Sequence, residues 1–279
     1  MVKFIYKIAT LFILLIVMLL SLISCEDVVE VDLDSAKPKL VIEASVLWKK
    51  GTTGNEQKIK LTTSTDYYYS NVAPVVSGAI VTITSSTNTF NFAYNSASED
   101  YNCNDFEPII GETYMLTVIV DGETYTATET LQAVPTIDTV EQNNEGGFLG
   151  DEIEVKYFFQ DDGTTDNFYL IQFNSNFNLL PEYDVINDQF FQGNQMFGLY
   201  SNDKMVVGDD LTFTLHGISE RYYNYLNVLL GIAGGNGGSP FSTPPATVRG
   251  NFVNQTNPNN FAFGYFSLSE IDTKTYFIE

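Results

Sequence analysis

Apolar and polar residues alternate in short runs through most of the chain. Lys58-Ile59-Lys60-Leu61-Thr62-Thr63 and Ala79-Ile80-Val81-Thr82-Ile83-Thr84 carry apolar side chains at alternate positions. A period of two sends one set of side chains to a buried face and the other to solvent, so both segments are predicted strands. Residues 40–48, 90–94, 114–120 and 123–128 read the same way. Asp121-Gly122 sits between the last two. A type I′ hairpin turn needs positive φ at both central positions, and Asp-Gly supplies it. Strands recurring about every ten residues with turn signals between them predict an antiparallel sandwich.

The polar, glycine-containing run Asn143-Asn144-Glu145-Gly146-Gly147 reads as a break. Beyond it, 153–159 and 168–173 are predicted strands flanking Asp161-Asp162-Gly163, and 211–217 is another. Residues 176–200 show no clear period. Ser219 reads as the N-cap of the one clear helix, with Ile218, Tyr222, Tyr225, Leu226 and Leu229 on one face. The capping box is incomplete, because Tyr222 stands where Glu or Gln would close it. A glycine series from Gly231 to Gly238 is expected to stop the helix, so it spans about 219–231. Residues 247–253 and 262–268 are predicted closing strands. The expected organisation is a β-domain at 39–140, followed by a second β-rich domain with one short helix at 141–279.

The N-terminus breaks this pattern. Lys3 and Lys7 precede an apolar run from Ile8 to Ile23 of about 16 residues, short of the roughly 20 that span a bilayer. Leu22-Ile23-Ser24-Cys25 closes it and resembles the lipobox of bacterial lipoproteins. That resemblance implies a signal peptide at 1–24 and acylation of Cys25, with several chains holding it stably to outer-membrane lipid. A retained helical anchor is the alternative. Glu26 and Asp27 follow at once and resemble the signal that sends Bacteroidota lipoproteins to the cell surface. A solvated acidic tether over 25–38 is the plainer reading of the same residues.

Charge narrows the function. Thirteen Lys and Arg stand against 35 Asp and Glu, for a formal net charge of −22. Nucleic-acid binding is excluded, because phosphate contacts require basic residues. Hydrophobic residues are 44% and aromatics 14%, so a folded core is expected rather than an acidic disordered chain. Cleavage before Cys25 leaves Cys103 alone, so no internal disulfide forms, and a quiet, partly buried thiol is expected.

Several stretches together resemble one family. They are Leu40-Val41-Ile42-Glu43 after an acidic tether, Pro74 to Ile83, Gly111-Glu112-Thr113-Tyr114 with Asp121 to Tyr125, and Val134 to Thr139. Ser219 to Tyr225, Thr243 to Asn251 and Gly264-Tyr265-Phe266 complete the ordered set. In this order they resemble the DUF4249 lipoproteins of Bacteroidota. The resemblance implies an outer-membrane lipoprotein with an N-terminal immunoglobulin-like domain and a TonB-dependent receptor as partner. It implies no reaction and no catalytic residue.

The residues themselves supply little chemistry. His216 is the only histidine, and no nucleophile-elbow pattern accompanies it, so a structural role is expected. Asp161, Asp162 and Asp166 around Gly163 offer oxygen ligands without EF-hand spacing, and a plain turn is the preferred reading. No catalytic, metal or cofactor site is expected. Tyr67-Tyr68-Tyr69 cannot all face one side of a strand, so at least one ring is expected in solvent, free to meet a partner or glycan. Tyr222 and Tyr225 are assigned to the core. Asp34-Ser35-Ala36 and Asp138-Thr139-Val140 resemble a three-residue O-glycosylation signal of exported Bacteroidota proteins. The expected function is a non-enzymatic accessory of a TonB-dependent uptake receptor. The alternative is a stand-alone glycan-binding surface lipoprotein.

Overall fold

A computed structural model of the chain describes Ile5, Tyr6, Phe12 and residues 37–65, 72–233 and 248–279. Ile5, Tyr6 and Phe12 are helical. The body from Pro38 onward is mainly β.

The first strands follow the predicted alternation, except for the fifth, a short strand that the pattern did not predict. They are β1 (Leu40–Lys49), β2 (Gln57–Thr63), β3 (Ile80–Thr84), β4 (Thr89–Asn95), β5 (Asp100–Cys103), β6 (Thr113–Val120) and β7 (Glu123–Thr130). Along β1 the residues Ile42, Ala44 and Val46 are buried, and along β6 Tyr114, Leu116, Val118 and Val120 are. These alternate side chains converge, with those of β2 to β5 and β7, on one core. At the β6–β7 turn φ is 51° at Asp121 and 77° at Gly122, the left-handed pair that the hairpin requires.

A second core lies between one end of the 12-stranded sheet that also holds the first strands and a separate three-stranded sheet. One carries β11 (Glu182–Asn187), β10 (Phe168–Ser175) and β13 (Asp210–Ile218); the other carries β12 (Gln195–Ser201), β9 (Glu152–Gln160) and β8 (Ile137–Gly146). Tyr157 of β9 and Phe213 of β13 stack across the gap, with centroids 4.3 Å apart and planes 7° apart. Gly198 leaves room for that ring, since a Cβ there would lie 2.5 Å from Phe213.

The run 143–147, expected as a break, is instead largely the end of β8. β8 is an edge strand, so its polar side chains face solvent while its backbone pairs with β9. The expected boundary near 140 falls inside this strand.

The last strand, β15 (Phe263–Phe277), joins the two halves. Its first part pairs parallel with β1, from Val41↔Phe263 to Lys49↔Ile271. Its second part pairs antiparallel with β13, from His216↔Ile271 to Asp210↔Phe277. A parallel pair needs a long connection, and here nearly the whole chain lies between its partners. Phe266 and Leu268 of β15 fill the first core, as do Phe252 and Ala262. Two acids of β15 hold the segment that leaves β7. Val134 N–H donates to Glu270 Oε2 at 2.9 Å, and Ile137 N–H donates to Asp272 Oδ2 at 2.7 Å.

The helix α1 (Glu220–Ala233) follows β13. It runs through Gly231 to Ala233 rather than stopping at the glycine. Leu226 packs with Leu170 and Ile218 in a small third core. Tyr222 and Tyr225 lean on it as expected, while Leu229 remains 37% exposed. The closing strand expected at 247–253 is reduced to β14 (Val253–Asn254).

Candidate functional site

Two arrangements among the described residues are open to a ligand or partner. The first is a cleft between α1 and residues 248–253. Ser219 caps the helix, accepting from Tyr222 N–H at 3.2 Å. This places Arg221 and Tyr222 in the first turn and Tyr225 in the next. Arg221 Nη2 donates to the Thr128 carbonyl and lies 3.4 Å from Glu129 Oε2. Glu129 is buried, and it also accepts from Thr130 N–H at 3.1 Å and Tyr265 OH at 3.3 Å. The Tyr265 ring stacks on Tyr222 and packs at a tilt against Tyr225, with 4.5 and 4.7 Å between centroids. Burial pushes the Tyr222 hydroxyl up to about 12, and burial together with Glu129 pushes Tyr265 up as well.

The opposite wall is Arg249-Gly250-Asn251. Asn251 acts like a residue of a neighbouring strand: its Nδ2 donates to Phe266 O at 2.8 Å, and its Oδ1 accepts from Phe266 N–H at 2.9 Å. The Arg249 guanidinium stacks over Phe261, 4.2 Å from the ring centroid, and Lys39 Nζ lies 4.0 Å from the same centroid. Among the described residues Arg249 has no carboxylate within 4.0 Å. Between the walls is an open cavity of about 510 Å³, lined by Arg221, Arg249, Tyr225, Tyr265, Val228 and Phe252 among others.

The second arrangement is one end of the second core. Strand register brings three loops there. Ser175 of β10 sits opposite Leu211 of β13, and Ser201 of β12 sits opposite Glu154 of β9. Loops 147–151, 176–181 and 202–209 therefore emerge together, and Asn176 Nδ2 reaches Asp209 Oδ1 at 3.1 Å between two of them. Each tip carries an apolar pair in solvent: Phe148-Leu149, Leu179-Leu180 and Val206-Val207. Phe148 and Leu179 are essentially fully exposed, at 101% and 98%. Exposed acids flank them, including Glu145, Asp151 and Asp203.

The residues singled out in the sequence fall elsewhere. Cys25, Glu26, Asp27, Tyr67, Tyr68 and Tyr69 lie outside the described residues, as does Asp34-Ser35-Ala36. Thr139 is exposed, beside an irregularity in β8. His216 is buried, and its Nε2 has no hydrogen-bond partner. Burial holds its pKa down at about 4. Asp161 and Asp162 spend their oxygens building the turn. Asp161 Oδ2 accepts from Gly193 N–H at 2.8 Å and Gly163 N–H at 3.2 Å, and Asp162 Oδ1 accepts from Thr164 N–H at 2.7 Å. Among the described residues no group of three or more His, Cys, Asp or Glu is arranged to hold a metal ion. The Cys103 thiol is buried, lies 3.0 Å from Asp105 Oδ1, and is pushed up to about 11, chiefly by burial. No described helix is long and apolar enough to cross a membrane.

Sequence reading missed both arrangements. The available signal for the cleft was compositional: the chain has two arginines, Arg221 and Arg249, and both line it.

A family model described as a domain of unknown function, DUF4249, matches residues 26–275. The chain belongs to this family. The match spans both halves of the β body and the cleft between α1 and residues 248–253. No curated protein matches this DUF4249 chain. Among solved structures, a cytokine receptor complex aligns at 8% identity with TM-score 0.25, covering 64% of this chain and 83% of that one. A two-domain fibronectin type III segment of chicken tenascin aligns at 10% identity with TM-score 0.21, covering 64% of this chain and 90% of that one.

Proposed function

We propose that this DUF4249 protein is a non-enzymatic lipoprotein of the outer membrane, anchored through acylated Cys25 and facing the cell exterior. In this reading it serves as an accessory to a TonB-dependent uptake receptor. The observation that carries docking is the apolar loop end, Phe148-Leu149, Leu179-Leu180 and Val206-Val207. Exposed apolar side chains grouped at one end of a domain mark a surface that another body covers. The acids around them oppose an anionic lipid surface, which favours a protein partner. The anchor rests on Lys3, Lys7, the apolar run and Leu22-Ile23-Ser24-Cys25, and surface display rests on Glu26 and Asp27.

The test is a tagged pull-down from mildly solubilised outer membranes, read by mass spectrometry. The wild type is expected to recover a TonB-dependent receptor in stoichiometric amount. Phe148→Asp, Leu179→Asp and Val206→Asp combined are expected to lose it without a change in melting temperature. Recovery of the lipoprotein alone would sink the docking reading and bring the glycan-binding alternative forward. Protection of the protein from protease on intact cells would overturn surface display.

A further inference from the structure

The two-arginine cleft has a ligand chemistry of its own. In a chain of net charge −22 with 13 basic residues, an anion is repelled from most of the surface. Both arginines nevertheless converge on one cavity. They are held differently. Arg221 is positioned by Glu129 and the Thr128 carbonyl, which both engage Nη2, with the Tyr265 hydroxyl as a further hydrogen-bonding neighbour. The Arg249 guanidinium lies over the Phe261 ring, its Cζ 4.2 Å from the centroid. Stacking occupies the face of a guanidinium and leaves its in-plane N–H fork free. That fork matches a carboxylate, which it binds through two parallel hydrogen bonds.

The rest of the lining is mostly apolar, with Asn251 the other polar side chain. Tyr225, Val228, Val248 and Phe252 surround the arginines, with Tyr265 between the walls. A bare inorganic anion would leave these side chains wet. An apolar or aromatic body beneath a carboxylate would cover them. The volume of about 510 Å³ falls within the usual range of small-molecule sites.

We propose that the cleft between α1 and residues 248–253 binds a small organic acid, its carboxylate on Arg249 and Arg221 and its apolar body against Tyr225, Val228 and Phe252. The proposal does not rest on the docking reading, since the loop end and the cleft share no residue.

Calorimetric titration of the purified full chain tests it with three probes. They are 4-phenylbutyrate, the neutral 4-phenylbutanol and inorganic phosphate. Saturable one-to-one binding of 4-phenylbutyrate is expected, weakening as salt rises. Neither the alcohol nor phosphate should saturate. Arg249→Gln should weaken the carboxylate at least about tenfold, the scale of a lost charge-assisted pair. Val228→Glu, an exposed helix position that adds a negative charge at the mouth, should abolish binding if Arg249→Gln disturbs folding. Absence of carboxylate binding overturns the proposal. So does equal binding of the alcohol, equal binding of phosphate, or indifference to both substitutions.

Discussion

Gly250 lies against Gly264 so closely that a Cβ on Gly250 would sit 1.6 Å from the Gly264 carbonyl oxygen. Gly264 is itself constrained, with φ of 96° and Ile42 O 2.0 Å from where its own Cβ would be. Three backbone segments thus meet without side chains between them, and the wall that carries Arg249 depends on the contact. Gly250→Ala is expected to destabilise the protein by about 3 kcal/mol or more, because backbone has to move. Gly78→Ala, with nothing within 4 Å, is the control and should stay within about 0.5 kcal/mol. Urea denaturation of the two variants checks this. Equal midpoints would show that the glycine contact is not needed.

The Asn251 amide replaces the missing strand ladder between residues 248–253 and β15. Asn251→Ala removes both of its hydrogen bonds to Phe266. A loss of about 1–2 kcal/mol is expected. Amide exchange at Phe266 should accelerate, while exchange at Val155 in the other half should not. Unchanged protection at Phe266 would refute the pinning role.

His216 makes stability depend on pH. Its folded pKa is about 4, below the usual 6.5, because burial disfavours the charged ring. The unfolded chain therefore takes up a proton below about pH 6.5, while the folded chain resists until about pH 4. The contribution is complete above pH 6.5 and is lost as pH falls through that window. From pH 7 to pH 5 this residue should cost about 2 kcal/mol of stability. His216→Leu should flatten that part of the profile. Denaturation curves at both pH values decide, and parallel losses in wild type and variant would remove His216 as the cause.

Cys103 should be chemically quiet. A thiol with a pKa of about 11 in a buried site carries little thiolate at pH 8. Alkylation by iodoacetamide is expected to be at least about 100-fold slower in the native protein than in urea. Comparable rates would place the thiol at the surface.

Local chemistry made much of the fold legible. The alternation in β1, β2, β3, β6 and β9 has a period of two, and each segment holds its buried face by itself. The Asp121-Gly122 turn and the Ser219 cap depend on residues within a few positions of each other, so they were readable too. The family could be read from an ordered set of such local stretches.

What stayed hidden depends on distant partners. The run 143–147 is polar along an edge strand, where only the backbone is paired, so its side chains carry no strand signal. β12, in the stretch without a clear period, does alternate buried and exposed residues, but Gly198 fills an inward position where Phe213 needs the space. The 15-residue β15 crosses from one core to the other, which hides any single period. The cleft is the extreme case. Arg221 and Arg249 stand 28 positions apart in the sequence (249 − 221), and each alone reads as a solvated charge. Only β15, by holding Tyr265 against α1 and Phe266 against Asn251, brings them to one cavity. Sequence determines strand periodicity and turns because those are short-range physics. Which charges share a site is decided by the one strand that packs into both halves.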